Sequence, residues 1–536
     1  MHGGAGVSVG EPRCGPIQSN AGSKSKQRYD SCGSIGRPTN GADLRTTEMD
    51  YGLLFTEFER NLGNGRLTQQ RLLYECLRAA ILGGKLGPGI VLPSSRTLAG
   101  GFGIARNSVV YAYERLLDEG FVVATRHGTR VTQLPLSHST LSAPLDTGKI
   151  ALAQRVRGLG RTGEDHGTPS PFLPGVPALN EFPLAQWRSC IKRAWHGLSA
   201  QHLGYGRAAG HPALRQAIAE YLKVSRGVRC ELEQVFITDG TQSSFDLCAR
   251  VLAEPGERAW VENPGYHGAR AAFQSAGLQL VPVPVDPAGL APPPSLWREA
   301  PPKLIYITPS HQYPLGAVLT LERRLMLIEL ARKARSWIVE DDYDSEFRRT
   351  GAPLSAVQGL ATDAPVVYLG TFSKTMFPGL RLGFMVVPRC LSAAFGQALE
   401  AIMRWGRIAE QVALADFIDS GRFTNHLRHM RRLYAQRGDA LGAALHRHLA
   451  RIVTPLESPG GMHFSVMLDV PLADTDVSRA APEYGLELRP LSTTCMPGTA
   501  RAFNGFMLGY AGVPAEAAEP AVKKLAQVIR VLLKAQ

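Results

Sequence analysis

Lys374 stands in Gly370-Thr371-Phe372-Ser373-Lys374-Thr375, just past the apolar run PVVYLG, and Arg381 follows seven residues later in GLRLGF. A lysine among small hydroxyl side chains at the end of a buried strand suits Schiff-base chemistry. Partial desolvation lowers the amine's pKa, and the neighbours can bind an anion. The motif lacks the glycine frame of a P-loop, and Ser-Lys-Thr also occurs in ordinary loops, so its company decides. Upstream, WIVEDDYDSEF sets Asp341 at a strand end and Tyr343 two residues on. A carboxylate there can keep a pyridine nitrogen protonated and make the ring an electron sink, while Tyr343 can donate to a phenolate oxygen. In ITDGTQSSFDL, Gly240, Thr241 and Gln242 precede a helix whose free amides favour a phosphate, and Tyr266 in ENPGYHGAR can stack on a flat ring. Each has a plainer reading: Asp341 as a capping or salt-bridged acid, Tyr266 as a packed aromatic, Arg381 paired with an acid. Taken together at compatible strand ends, they read as one site.

The elements that must position them are six short apolar runs separated by helical stretches: QVFITDG, RAWVENPGY, KLIYITPS, SWIVEDDYD, PVVYLGTFSK and LGFMVVP. This alternation predicts an α/β domain over 171–536 with a mainly parallel sheet, in which ligands gather where strands end. Each run is expected to deliver a polar cluster at its carboxyl end.

A second unit is expected over 50–134. Leu73, Leu77, Ala80 and Ile81 recur at helical spacing and Gly83-Gly84 stop the helix. Pro93 and Ser94 start a short helix ending at Gly101 to Gly103, and a second helix carries Val109, Tyr113 and Leu116 on one face. FVVAT and TRVTQ around Arg126-His127-Gly128 suggest a hairpin wing. The segment resembles the winged helix-turn-helix of the GntR regulators, P-S-x-R-x-L-A followed by S-R-x-T-V and E-G-Y. The matching residues are Pro93, Ser94, Ser95, Arg96, Leu98, Ala99, Arg106, Asn107, Val109, Ala112, Tyr113, Leu116, Glu119 and Gly120. That resemblance implies duplex DNA as a partner, with Arg106, Asn107 and Ser108 at bases or phosphates and Arg96 on the backbone. The wing departs from the family's G-x-G-T by carrying Arg126-His127-Gly128-Thr129.

From about residue 171 onward the chain resembles the fold-type I aminotransferases that bind pyridoxal 5′-phosphate (PLP). Further matches are YGRAAGHPALRQAIAEYL, TPSHQYPLG and the run HLRHMRRLYAQR. With a GntR head in front, it is similar to the MocR/GabR regulators. The resemblance implies Lys374 as the Schiff-base lysine, Asp341 on the pyridine nitrogen, Tyr343 on the phenolate oxygen and Tyr266 on the ring face. It also implies Thr241, Gln242, Ser373 and Arg381 at the phosphate, with Tyr205 reaching the phosphate of a neighbouring subunit in a homodimer. Two departures accompany it. Tyr313 replaces the asparagine of N-P-x-G that helps bind the phenolate oxygen. In FMLGYAG, Met507 stands where an arginine anchors a substrate carboxylate; Arg489, Arg404 and Arg407 are the candidates to replace it. The run His426, Arg428, Arg431, Arg432 reads as one helix face at a dimer or inter-domain contact.

Composition bounds the rest. The 536 residues carry 59 Lys and Arg against 46 Asp and Glu, a formal charge of +13, which suits an acidic partner such as nucleic acid. Eight separated cysteines without a Cys-x-x-Cys pair suggest neither zinc nor a disulfide framework and fit a reducing cytoplasm. No run of 18 apolar residues predicts a membrane span. Residues 1–49 read as a disordered tail, most of which translation from Met49 would remove, and 135–170 as a linker. The expected function is a PLP-dependent, DNA-binding transcriptional regulator that senses PLP or a small amine. Its rivals are a working aminotransferase with an appended DNA-binding head and a scaffold that has lost its cofactor.

Overall fold

A computed structural model of the chain describes residues 49–61, 67–134, 153–157, 159, 170–349, 351, 353–403, 406–499 and 503–535. The tail and nearly all of the linker lie outside these residues. The chain divides into two compact units, 1–150 and 151–536.

In the first unit, helices α1 (Tyr51–Asn61), α2 (Gln69–Leu82), α3 (Ser95–Phe102) and α4 (Arg106–Asp118) precede a hairpin of β1 (Val122–Thr125) and β2 (Gly128–Val131). Sequence reading missed α1. Its signals are Asp50, whose carboxylate accepts from Leu53 N at 3.0 Å, and Phe55, which stacks on Phe102 with centroids 4.9 Å apart. Leu73, Leu77, Ala80 and Ile81 of α2 are all buried, and they pack with Leu98, Val109 and Leu116 into a single core. The turn between α3 and α4 is set locally. Ser94 caps α3 by accepting from Thr97 N at 3.2 Å, and Gly103 ends it in the left-handed conformation at φ +61°.

The second unit is built on eight strands: β3 (Val235–Thr238), β4 (Arg258–Asn263), β5 (Gln279–Asp286), β6 (Gly289–Leu290), β7 (Leu304–Ile307), β8 (Trp337–Asp342), β9 (Val366–Thr371) and β10 (Gly383–Val386). Their order is β3-β10-β9-β8-β7-β4-β5-β6, parallel from β5 through β9. All six apolar runs are strands, and β3, β4, β7, β8 and β9 are buried along nearly their whole length, as strands covered on both faces must be. One expectation is corrected: β10 runs antiparallel to both neighbours. Its amino end, not its carboxyl end, therefore meets the ends of β3 and β9, and Arg381 stands two residues before that end. A second sheet, β11 (Val453–Pro455), β12 (His463–Leu468), β13 (Arg489–Pro490) and β14 (Gly505–Gly509), is antiparallel in the order β11-β12-β14-β13. Among the described residues no helix is long and apolar enough to cross a membrane.

Candidate functional site

Because side chains alternate along a strand, β8 sends Asp341 and Asp342 to opposite sides. Asp342 pairs with Arg226, which ends the helix Pro212–Arg226, at 2.7 Å, and it accepts from Tyr368 at 2.6 Å. Asp341 faces the other way: one oxygen accepts from Tyr306 at 2.9 Å, while Oδ1 is buried and has no partner. Burial pushes the Asp341 carboxyl up to about 7; the Tyr306 hydroxyl and Lys374 oppose this, and Asp342 and Asp344 add to it.

Lys374 lies in the short helix Phe372–Thr375 directly after β9. Thr371 caps that turn by accepting from Ser373 N at 3.1 Å. The ammonium donates to Gly175 O at 2.8 Å, so close that a side chain at Gly175 would put its Cβ 2.9 Å from Nζ. Behind the turn, His426 is buried and bonds the Thr375 carbonyl at 2.9 Å, and burial pushes it down to about 4, leaving it neutral. This corrects the expectation of one basic face. His426 supports the lysine turn and Arg431 donates to Glu346 O at 2.6 Å, whereas Arg428 and Arg432 are exposed.

The starts of β10 and the helix Thr241–Leu252 converge beside Lys374. Gly383 pairs with both Thr371 and Thr238, and a Cβ on it would lie 2.8 Å from Gly240 Cα, so only glycine permits the approach. Gly240, at φ +92°, opens the helix, and open space lies where its side chain would be. Thr241, Gln242, Ser373 and Arg381 border this end. Gln242 also donates to Gly268 O at 3.0 Å, tying the loop to the Tyr266 segment. Arg407 braces it from the other side, donating to Leu380 O at 2.7 Å and lying 3.6 Å from Asp239. It is thus committed to this loop, and Arg404 lies outside the described residues.

Aromatic rings line the space between. Tyr266 meets Tyr313 edge-on at 5.3 Å, and Tyr313 meets Tyr343 at 6.2 Å. The Tyr343 hydroxyl is 3.0 Å from His311 Nδ1, which also faces Asp344 at 2.9 Å; His463 lies beside His311, its centroid 4.9 Å away. Sequence reading missed His311, Asp344 and His463, which belong to three distant stretches. Met507 pairs in register with Ser465, whose hydroxyl donates to Pro314 O at 2.6 Å, so Met507 sits on the sheet face turned toward this loop. On its other side is Arg489, held by Glu487 at 3.1 Å. Tyr205 is 90% exposed on the segment before the helix Pro212–Arg226.

In the first unit Arg96, Arg106 and Asn107 are exposed and Ser108 is half-buried. Arg106, Asn107 and Ser108 form the first turn of α4, where backbone N–H groups lack helical acceptors and favour anions. Arg106 also donates to Ser95 Oγ at 3.3 Å across the turn.

Residues 177–523 match the family of aminotransferases of class I and II, and 69–131 match the bacterial regulatory proteins of the gntR family. The probable rhizopine catabolism regulatory protein MocR of Rhizobium meliloti is 41% identical over 83% of this chain and 90% of its own. This chain is a member of the MocR family of transcriptional regulators. The pyridoxine biosynthesis regulator PdxR of Corynebacterium glutamicum is 33% identical over 82% of this chain and 91% of its own. The second unit also resembles the solved α-aminoadipate aminotransferase LysN of Thermus thermophilus, complexed with N-(5′-phosphopyridoxyl)-L-leucine. TM-score is 0.62 and identity 28%, covering 68% of this chain and 93% of that one. The regulator thus joins a DNA-binding GntR head to a fold-type I domain whose cofactor is PLP. Its residues fit that group: the orphaned Asp341 Oδ1 needs a buried cationic donor such as a protonated ring nitrogen, and the Gly240 helix start suits a phosphate.

The Asp341 environment gives a pH prediction for the protein without PLP. The folded state holds a proton that an unfolded carboxyl, ordinarily near 3.8, has lost, so stability falls as pH rises from about 4 to about 7. Asp341→Asn should remove this part of the slope, gaining on wild type by about 4 kcal/mol at most between those limits. Melting curves of both proteins across that range check it; a difference independent of pH counts against the assignment.

Proposed function

We propose that the regulator senses PLP, or an amine that reacts with it, and converts that state into a change in DNA binding without turning over amino acids. Lys374 holds PLP covalently. Asp341 pairs with the pyridine nitrogen, Tyr343 with the ring oxygen, and Tyr266 with the ring face. Thr241, Gln242, Ser373 and Arg381 surround the phosphate, and Tyr205 reaches the phosphate of the other subunit in a homodimer. When bound, PLP supplies an electrophilic carbon for amines and an electron-withdrawing ring.

The observation that carries the regulatory reading is Met507, 2% exposed and in register beside Ser465. A thioether cannot clamp a carboxylate, and without a clamp an amino acid's Cα bond is not oriented for proton removal. Arg489 beside it already carries the Glu487 carboxylate. The residues assigned to the ring and phosphate are retained, which favours PLP itself as the signal, in line with the similarity to PdxR, a regulator of pyridoxine biosynthesis. Any effector must bind two conformations unequally, since equal affinity shifts nothing. The deciding assay is operator binding by protein freed of PLP, then with PLP added, then with PLP and a panel of amines. A response to PLP alone is expected. A response that requires an amine overturns the PLP version, and steady transamination at ordinary enzyme rates overturns the regulatory reading.

At the head, α4 enters the major groove with Arg106, Asn107 and Ser108 leading, and Arg96 contacts the backbone. Arg106→Ala should reduce operator affinity. If Arg106 meets a phosphate, the log–log salt slope shrinks by about 0.9; if it meets a base, about 1 to 3 kcal/mol is lost at one position. Wild-type affinity and slope in the full-length variant would contradict the placement.

A further inference from the structure

The cluster behind Tyr343 has a directional hydrogen-bond order. Both oxygens of Asp344 face His311 Nδ1, at 2.9 and 3.2 Å, in a site where the histidine is 4% and the aspartate 1% exposed. A carboxylate only accepts, so Nδ1 carries a proton. On the far side, Ser458 Oγ lies 3.0 Å from Nε2, which, with the proton on Nδ1, can accept from that hydroxyl; Gly460 O, at 2.9 Å, is the other acceptor within its reach. The ring is therefore held at both nitrogens and cannot turn freely. The Tyr343 oxygen, 3.0 Å from the same Nδ1, is a second acceptor for that one N–H and shares it with Asp344. Its own proton is then left to point elsewhere. Asp341, two residues before Tyr343 in the chain, is the acid proposed above to pair with the pyridine nitrogen.

We propose that His311, locked by Asp344, is a positioning residue that donates to the Tyr343 oxygen and so directs the Tyr343 proton toward the ring oxygen of PLP. This deepens the PLP-binding reading and rests on it. Tyr313, which shares the loop with His311, packs its ring edge-on against Tyr266 and Tyr343. The loop itself is fixed by buried Glu262, which accepts from Thr308 N at 3.1 Å and from Gln312 at 3.2 Å. The ionisable groups around Tyr343 and His311 are Asp341, Asp344, Glu262, Tyr313, His463 and Lys374. Burial and His311 push His463 down to about 4, so it stays neutral and leaves the Asp344 charge to His311. Burial, followed by Asp344, Tyr313 and Asp341, holds Tyr343 as a protonated phenol.

The test uses the full-length protein loaded with PLP and reads the PLP dissociation constant and the pH midpoint of the visible band. A donor to the ring oxygen competes with the proton shared between that oxygen and the lysine nitrogen. Its loss should raise the midpoint by about one unit and weaken PLP roughly 10-fold, as for one charge-assisted hydrogen bond. His311→Gln and His311→Phe should each do this, as should Tyr343→Phe. In the Tyr343→Phe background, His311→Gln should add nothing, because the histidine acts through the hydroxyl. Unchanged values in both His311 variants, or losses that add, overturn the proposal. Nitrogen NMR of wild type, which needs no variant to fold, should find a proton on His311 Nδ1; a bare Nδ1 overturns it equally. A wild-type protein with no visible band would instead sink the PLP reading itself.

Discussion

Lys374→Ala should abolish the covalent attachment of PLP completely: no visible band from the lysine link, and no adduct on the chain after borohydride reduction. The geometry gives the expectation its strength. Lys374 is delivered by a turn that Thr371 caps and His426 supports, its amine is held by Gly175 O, and Asp341 is the buried acid whose free oxygen lies in the same site. The variant retains Asp341, Tyr343 and the Gly240 helix start, so it should still bind PLP reversibly and lose it on dialysis. Separating attachment from binding in this way asks whether DNA binding responds to the link or only to occupancy. Peptide mapping of wild type checks the assignment; an adduct on another lysine overturns it.

Arg226→Ala should destabilise the second unit by about 3–5 kcal/mol, the cost of leaving a buried charge uncompensated. Arg226 and Asp342 are 3% and 2% exposed, and the guanidinium also donates to Ser310 Oγ at 2.6 Å and to the Leu354 carbonyl. Its removal strands Asp342 among Glu340 and Glu346, carboxyls that burial already pushes up to about 7. Replacing both partners with apolar residues of similar volume should cost far less than either single change, because no charge is then left buried. Chemical denaturation of the single and double variants measures this. A single variant within about 1 kcal/mol of wild type, or strictly additive losses, would show that the pair does not have this role.

Much of the site was legible because its residues follow apolar runs whose length and flanks mark them as strands. β8 and β9 had to end near Asp341 and Lys374, and adjacent parallel strands bring those ends together. The turn of the head was equally local: Ser94 and Gly103 fix it through a cap and a left-handed residue. Strand direction was not local. LGFMVVP reads the same in either orientation, and only its pairing between β3 and β9 made its amino end, just after Arg381, the one that meets the ends of those strands. The helical run at 426–432 failed for a related reason. Periodicity gives the faces of a helix but not which face meets the rest of the protein, and His426 is turned inward onto Thr375.

By itself, the sequence determined the two-part organisation, the strand ends that carry chemistry and the family, since each is written in contiguous residues with a fixed local meaning. Tertiary structure alone decided what those residues face. It left one oxygen of Asp341 without a donor, gave Arg407 to the Asp239 loop, and assembled His311, Asp344 and His463 behind Tyr343. The physical reason is that hydrogen bonds and charge pairs reach only a few ångströms in space, across any separation along the chain, so their partners are set by packing and not by neighbouring letters.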